Sequence, residues 1–271
     1  MRHPEGWHET GLLRKAGHPP LPNNRSGSLR RLVNLMKKLK KEPNHLDECD
    51  RIIQNQLEQG IVERETEEPH GEREFYLPHK PIVRETAEST KMQIVFDASA
   101  KAEQTSPSLN DCLETGPPLQ NLLWSVLVRD RFKPVALCGD LKQAFLQVRI
   151  LEADRDALRF HWIKDKDPSQ IELLRFTRAL FGLIQSPFLL GGTLKQHLDS
   201  LKAKYPEEVE EIMKSLYVDD VISGAYTADQ GHKSKEIAVS AFGEAGFKLH
   251  KWHSNVEELE AETVLRDEEH T

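Results

Sequence analysis

Two neighbouring acids close the run Tyr217-Val218-Asp219-Asp220, which lies between apolar stretches. Ile212-Met-Lys-Ser-Leu216 precedes it and Val221-Ile-Ser-Gly224 follows, a pattern that reads as strand, tight turn, strand with the acids at the tip. Adjacent carboxylates on a turn cost little while they are solvated. They become costly when the fold brings another carboxylate to them, because such a cluster repels itself unless a divalent cation is held there. A suitable partner exists in Pro134-Val-Ala-Leu-Cys-Gly-Asp140-Leu-Lys-Gln-Ala-Phe145, where Asp140 is expected to end an apolar strand and open a helix. If the two strands are neighbours, Asp140 and Asp219 face one spot. Such a pair suits two Mg²⁺ ions, as in polymerases and nucleases, since Mg²⁺ takes hard oxygen ligands with few of them from protein. Without that company the same residues would be a solvated turn.

The bulk composition narrows the remaining classes. With 271 residues, 38% of them apolar, the chain can build one large domain or two intimate subdomains. A charged content of 30% and a mean hydropathy of −0.59 argue against a membrane protein, and no apolar run is long enough for a spanning helix. Met1-Arg-His-Pro-Glu-Gly lacks a signal core, and Cys49, Cys112 and Cys138 are odd in number and far apart. These features lead to the expectation of an intracellular, cytoplasmic protein with ordinary thiols, the nucleus being the alternative. The net charge of −7 speaks mildly against a nucleic-acid partner, but it conceals an asymmetry. Arg25 to Lys41 holds seven basic residues and no acid, whereas Glu257 to Thr271 holds seven acids and one Arg. A local basic stripe suffices to attract phosphates; a solvated helix face explains it equally well.

Periodicity predicts a mixed α+β chain. Residues 1–28 read as a flexible leader, and Leu29, Leu32, Val33, Met36 and Leu39 recur at helical spacing. Pro43 and Asn44 are expected to break that helix, and Asp47 to cap a second one ending at Gly60 with Ile52, Ile53 and Leu57 buried. Glu74–Leu77, Lys80–Val83 and Met92–Phe96 read as strands, and Asp97–Pro118 as loop. A stripe of Leu119, Leu122, Leu123, Val126 and Leu127 predicts a helix before Pro134. Ala157–Ile163 and Ile171–Phe176 frame a polar turn over Lys164–Gln170 and predict a hairpin. Helices are expected from Pro187 to about Tyr205, from Pro206 to about Met213 and from Thr227 to Ala245, and a last strand at Phe247–Trp252.

The order of the blocks goes further. Val95-Phe-Asp-Ala-Ser-Ala-Lys101, Ser108-Leu-Asn-Asp111, Gly116-Pro, Asp140-Leu-Lys-Gln-Ala-Phe145, Phe181-Gly-Leu-Ile-Gln-Ser-Pro-Phe188, Tyr217-Val-Asp-Asp220 and Lys251-Trp-His-Ser-Asn255 follow one another. Together they resemble the reverse transcriptase of long-terminal-repeat retrotransposons of the BEL/Pao type, over about residues 29–256. The resemblance implies right-hand polymerase fingers and palm, with an antiparallel palm sheet backed by helices and the thumb missing. Fingers would cover 29–133 with the 157–180 hairpin region, the palm 134–256, and an acidic tail 257–271. It also implies the function, RNA-directed DNA polymerase, with a template-primer of RNA or DNA and deoxynucleoside triphosphates as partners, inside a retroelement particle.

The resemblance assigns roles by position. Asp140 and Asp219 would ligate both Mg²⁺ ions (Mn²⁺ being the substitute), with Asp220 a weaker third carboxylate and the backbone oxygen of Leu141 completing a site. Phe145 would lie under the sugar and exclude a 2′-hydroxyl. Gly182, Gln185, Ser186 and Pro187 would line the template and incoming base, with Gln185 reaching the nucleotide. Tyr217 and Val218 would sit by the primer end, and Lys251 near the triphosphate or in support of the palm. One position departs from the pattern: the family's fingers Arg, four residues before the Asp of the Val-Phe-Asp block, is Gln93 here. Gln supplies no charged bidentate clamp, so Lys91 and Arg84 are the candidate substitutes.

Several bland readings compete. Trp124, Phe160 and Trp162 read as packing rather than base-stacking platforms. His250 and His253 alternate faces on a strand and do not read as a zinc pair. Ser186 lacks a nucleophile elbow, and Gly191-Gly192 lack a Walker Lys. No Asp-Thr-Gly or Asp-Ser-Gly protease signature is present, and too little chain follows Asn255 for a thumb, so weak, poorly processive synthesis is expected. The alternative is a catalytically inactive retroelement remnant that binds nucleic acid or protein. A nucleotide cyclase shares the two-metal logic by analogy only and lacks its Gly-Gly-Asp/Glu block.

Overall fold

The computed structural model describes residues 7–65, 74–83 and 92–260. They fall into two compact units, each assembled from separated stretches of chain: unit one from 1–8, 117–148 and 187–271, and unit two from 9–116 and 149–186. In chain order, residues 9–116 carry β1 (Glu9–Thr10), α1 (Arg25–Leu39), α2 (Pro43–Glu58), β2 (Val62–Arg64), β3 (His79–Val83) and β4 (Met92–Phe96). Residues 117–148 carry α3 (Leu123–Asp130) and β5 (Val135–Leu141); 149–186 carry β6 (Arg149–Ile150), α4 (Glu152–Arg155), β7 (Arg159–Lys164) and β8 (Asp167–Phe176). The remainder is α5 (Ser186–Leu201), α6 (Pro206–Ser215), β9 (Leu216–Tyr217), β10 (Asp220–Ala225), α7 (Ala228–Gly243) and β11 (Leu249–Ser254). Among the described residues no helix is long and apolar enough to cross a membrane.

Unit one is a four-stranded antiparallel sheet in the order β11-β5-β10-β9. Strand β5 alternates strictly: Val135, Leu137, Gly139 and Leu141 are buried, while Ala136, Cys138 and Asp140 point to the other face. Leu137 and Val221 face Ile212 of α6 and Ala238 of α7, so both helices back the apolar side. Gly139 is required on that side, since a Cβ there would stand 3.0 Å from the Trp252 indole. Helix α5 buries Leu190, Leu194 and Leu198, and its His197 Nε2 lies 2.6 Å from the carbonyl oxygen of Ala241 on α7.

In unit two, β2, β8 and β7 form one antiparallel sheet and β3 and β4 another. The expected hairpin is present but tighter than predicted: Asp165 and Lys166 alone make the turn, both with positive φ, as a two-residue hairpin turn needs. An aromatic cluster fills the core, with ring centroids of Phe96, Phe160 and Phe176 4.7–5.2 Å apart. Trp162 is fully buried, its indole N–H donating to Asp50 at 3.1 Å. A dense ion network ties the sheet to its flanks. Arg175 meets Glu63 at 2.6 Å, Glu65 at 2.7 Å and Asp156 at 3.0 Å, and Arg159 donates twice to Asp156. Burial alone would raise the Asp156 carboxyl, but the hydrogen bonds from Arg159 and Arg175 outweigh it and hold the pKa below the usual range.

Several expectations need correction. Helix α2 starts at Pro43, four residues before Asp47, because Pro at the first position needs no hydrogen-bond partner for its missing N–H. Glu74–Leu77 forms only an isolated bridge, Tyr76 to Arg159. Asp140 lies inside β5 rather than after it, and the following segment is a short 3₁₀ turn at Ala144–Gln147 entered through left-handed Gln143, not a helix. Ile212–Ser215 is the end of α6, so only Leu216–Tyr217 is strand before the acidic turn. Of the stripe predicted over Leu119–Leu127 only Val126 is buried; Trp124, expected in a core, is 77% exposed. Phe160 and Trp162 are core, as the reading had it.

Two buried histidines make unit two acid-sensitive. His79, against Phe96, Phe160 and Trp162, is pushed down to about 4 by burial. His161, stacked on Tyr76, is likewise pushed down to about 4, by burial first and then by Arg25 and His79. Both rings are neutral in the fold, whereas the unfolded chain takes up protons from about pH 6.5 downward. Stability is therefore full above about 6.5 and is lost as pH falls towards 4. His79 should account for on the order of 3 kcal/mol of that loss. Denaturant unfolding at pH 7 and pH 4.5 is expected to show a smaller stability difference for His79→Phe than for the parent chain; equal differences would contradict this account.

Candidate active site

The acidic turn is built by the register of three strands. Tyr217 pairs with Asp220 across β9 and β10, which leaves Val218 and Asp219 as a two-residue turn. Val218 sits in the left-handed region, φ +57°, an unusual place for a β-branched residue that costs about 1–3 kcal/mol. The turn is held from β5: the Leu141 N–H donates to the Asp219 carbonyl oxygen at 2.8 Å. It is also held from α3, where the Asn121 side-chain amide donates to the carbonyls of Met213 and Leu216 at 2.7 and 2.8 Å. Arg129 adds a hydrogen bond to Ser215 at 2.9 Å.

Across β5 and β10, Asp140 is the direct partner of Asp220. Directly opposed residues on antiparallel strands carry their side chains on one face with Cβ atoms about 4.5–5.5 Å apart. Alternation along β5 puts that face opposite Leu141 and Gly139, away from α6 and α7. On the other flank of β5, Asp140 pairs with His250 of β11, whose Nε2 lies 3.1 Å from Asp140 Oδ2. Lys251 Nζ is 4.0 Å from the same oxygen. β11 has an irregular register between His250 and His253, and Lys251 there has φ +50°.

The electrostatics follow from this crowding. Asp219 is raised from the ordinary Asp range, by burial first, with its own backbone hydrogen bond opposing and the Asp140 charge adding. Asp220 is raised by burial, then by Asp219 and Asp140. His250 is lowered by burial, against the pull of Asp140, which favours a neutral ring beside that carboxylate. Among the described residues no three His, Cys, Asp or Glu side chains converge closely enough to hold a metal ion. As a donor set, the carboxylates of Asp140 and Asp219 and the backbone oxygen of Leu141 still suit Mg²⁺: all are hard oxygens, and Mg²⁺ keeps much of its water.

The remaining predicted residues divide between the units. In unit one, Phe145 is 5% exposed within the 3₁₀ turn that follows β5, and Tyr217, Val218 and Lys251 flank the carboxylates. In unit two, Gly182 has φ +99°, and a Cβ there would come 2.7 Å from the Phe96 carbonyl oxygen, so only glycine fits. Asn110 clamps this loop, donating to the Gly182 carbonyl at 2.8 Å and accepting from Ile184 N–H at 3.0 Å. Gln185 is fully buried, its Oε1 accepting from Leu13 N–H at 2.7 Å. Ser186 is buried too, and its hydroxyl donates to the Leu180 carbonyl. Pro187 is exposed at the start of α5. Gln93 lies on β4 opposite Ile82, while Arg84 and Lys91 lie outside the described residues. Sequence reasoning missed Asn121, Asn110 as a clamp, and the His250 contact. Asn110 alone had a signal, its place in the Ser108–Asp111 block.

No protein-family model matches the chain, and no curated protein does. Among solved structures it is similar to a foamy viral protease–reverse transcriptase in complex with an RNA/DNA hybrid, with a TM-score of 0.57 at 16% identity over 90% of this chain. The chain spans 26% of that structure's length. This likeness shows a reverse-transcriptase-like fold.

Two substitutions test the local physics. Above its raised pKa, ionised Asp220 costs the fold stability, and the cost disappears as pH falls below the unfolded Asp value. Asp220→Asn should therefore raise the melting temperature at pH 7 in chelator, with a gain that shrinks towards pH 3.5; a loss at pH 7 would contradict the crowding. Gly182→Ala should cost about 2 kcal/mol in denaturant unfolding, through strained φ and the clash with Phe96. An unchanged midpoint would contradict the loop geometry.

Proposed function

We propose that this chain is the fingers and palm of a BEL/Pao-type reverse transcriptase, an RNA-directed DNA polymerase domain, with the palm in unit one and the fingers in unit two. The observation that carries the reading is the register of Asp140 against Asp220, with the Asp219 turn tied to Leu141, on the sheet of a chain with a reverse-transcriptase-like fold. RNA/DNA template-primer and deoxynucleoside triphosphate would be its partners. Asp140 and Asp219, with the Leu141 backbone oxygen, would hold Mg²⁺, which when bound lowers the pKa of a primer hydroxyl and offsets charge on the departing pyrophosphate.

The chain's own contribution is positioning and charge. The pairing of β5 and β10 sets two carboxylates on one face, and the strained Val218 turn sets the third. His250 keeps one oxygen of Asp140 engaged, so the other oxygen is the one directed to a ligand. Lys251 supplies the nearby positive charge at 4.0 Å from Asp140. Phe145 would bound the sugar, and the Gly182 loop, fixed by Asn110, would bear on the template. Gln93 brings no charge to the triphosphate, which favours a weakly active enzyme.

A second reading, a catalytically inactive remnant that still binds nucleic acid, draws on Gln93 and on carboxylates that do not converge as they stand. One experiment separates the two. On an RNA template with a DNA primer, Asp219→Asn should abolish Mg²⁺-dependent incorporation while leaving the circular dichroism of the chain unchanged. Incorporation that survives in the variant removes the carboxylate role. Primer-template binding without incorporation by the parent chain selects the remnant.

A further inference from the structure

Unit two neutralises its buried guanidiniums with care, and one of them is an exception. Arg159 and Arg175 are both buried, and both are met by Asp156, with Glu63 and Glu65 completing the Arg175 shell. Arg178 is different. It follows β8 directly and pairs through an isolated antiparallel bridge with Arg149. Arg149 in turn pairs with Glu9 across β1 and β6. Residues so paired share a face, and like charges directly opposite are destabilising. A third guanidinium, Arg155, lies 3.6 Å from Glu9 and 3.4 Å from Glu63, so the acids of this corner are already engaged. The Arg178 Nε is sealed from solvent and has no hydrogen-bond partner. Burial, then Arg149 and Arg155, push its pKa down to about 10, with Glu9 opposing. It stays charged at neutral pH, so an unpaired cation is left half-buried, an arrangement a fold retains at a cost.

We propose that Arg149 and Arg178 form a phosphate-binding site in unit two, completed by an anion from the ligand. A guanidinium offers a planar fork of donors that matches phosphate oxygens two at a time. Paired guanidiniums on adjacent segments repel each other when empty and share an anion when filled. The site stands immediately before the Leu180–Pro187 loop in sequence and is independent of the carboxylates of unit one. It holds whether or not those carboxylates catalyse anything. Two sources share this chemistry, a phosphodiester of a nucleic-acid strand and the polyphosphate of a free nucleotide.

The test uses the full chain, Arg178→Gln and Arg149→Gln, without divalent cation and with no measurement of incorporation. Inorganic tripolyphosphate should raise the melting temperature of the parent chain, and each variant should lose most of that rise. Without anion, Arg178→Gln should melt no lower than the parent, since it removes a charge that nothing pairs. Fluorescence anisotropy of an RNA/DNA hybrid across salt concentrations then identifies the source. A strand phosphate is indicated if the variants bind severalfold more weakly and the log–log salt slope falls by about one. A free nucleotide is indicated if hybrid binding is unchanged while the tripolyphosphate effect is lost. The site is overturned if both variants keep the parent's tripolyphosphate stabilisation and the parent's salt slope. It is equally overturned if Arg178→Gln melts well below the parent without anion, which would make the guanidinium a structural one.

Discussion

The pairing of β5 with β10 is the constraint on which the rest of unit one depends. Its register is fixed by the apolar side: Val135, Leu137 and Leu141 must face α6 and α7, and a slip of one residue would turn them all to solvent. That same register obliges Asp140 to stand opposite Asp220. The sheet therefore holds two like charges in direct opposition because the burial of its other face demands it. His250 and Lys251 on the third strand relieve part of the repulsion, and α3 reinforces the turn that carries Asp219. The carboxylate cluster is thus a by-product of core packing on one side of a strand and a liability on the other.

Much of this was legible in the sequence, for local reasons. Helices α1, α6 and α7 and strands β4, β5 and β8 carry clear periodicity, and Asp140 with Tyr217–Asp220 stood out as acids beside apolar strands. Where the reading failed, a tertiary or terminal effect overrode the pattern. Pro43 opens a helix instead of closing one, since position within the first turn decides what proline does. Ile212–Ser215 looked like strand because a short apolar run has no period of its own; the helix beginning at Pro206 simply continues through it. Trp124 was assigned to packing from its size, but the eight-residue α3 turns little more than Val126 inward.

What the sequence could not carry are contacts between distant residues that leave no local trace. Asn110 and Gly182 are a case: the glycine is demanded by the Phe96 carbonyl and the asparagine by the loop's free backbone groups, three segments with no spacing rule between them. Asn121 and the His250 contact with Asp140 belong to the same class. Gln185, which the resemblance puts at the nucleotide, has its side-chain oxygen engaged by Leu13, a partner more than 170 residues back along the chain.

The charged groups of the two units together suggest a physical rule for separating structure from function in this chain. Arg159 and Arg175 are surrounded by carboxylates, and their network is complete without any ligand; the depressed Asp156 carboxyl is the sign of that completeness. Asp219 and Asp220 are shifted the other way, towards the neutral form, as acids are when burial and like charge outweigh their partners. Arg178 is shifted towards its neutral form as well, for the same two reasons with the sign of the charge reversed. A fold that can satisfy Arg175 with Glu63, Glu65 and Asp156 has the means to satisfy Arg178, yet the residue beside Arg178 is another arginine. The two like-charge oppositions, Asp140 with Asp220 and Arg149 with Arg178, are consequently the places where a counter-charge from outside the chain gains most: a cation at the first and an anion at the second.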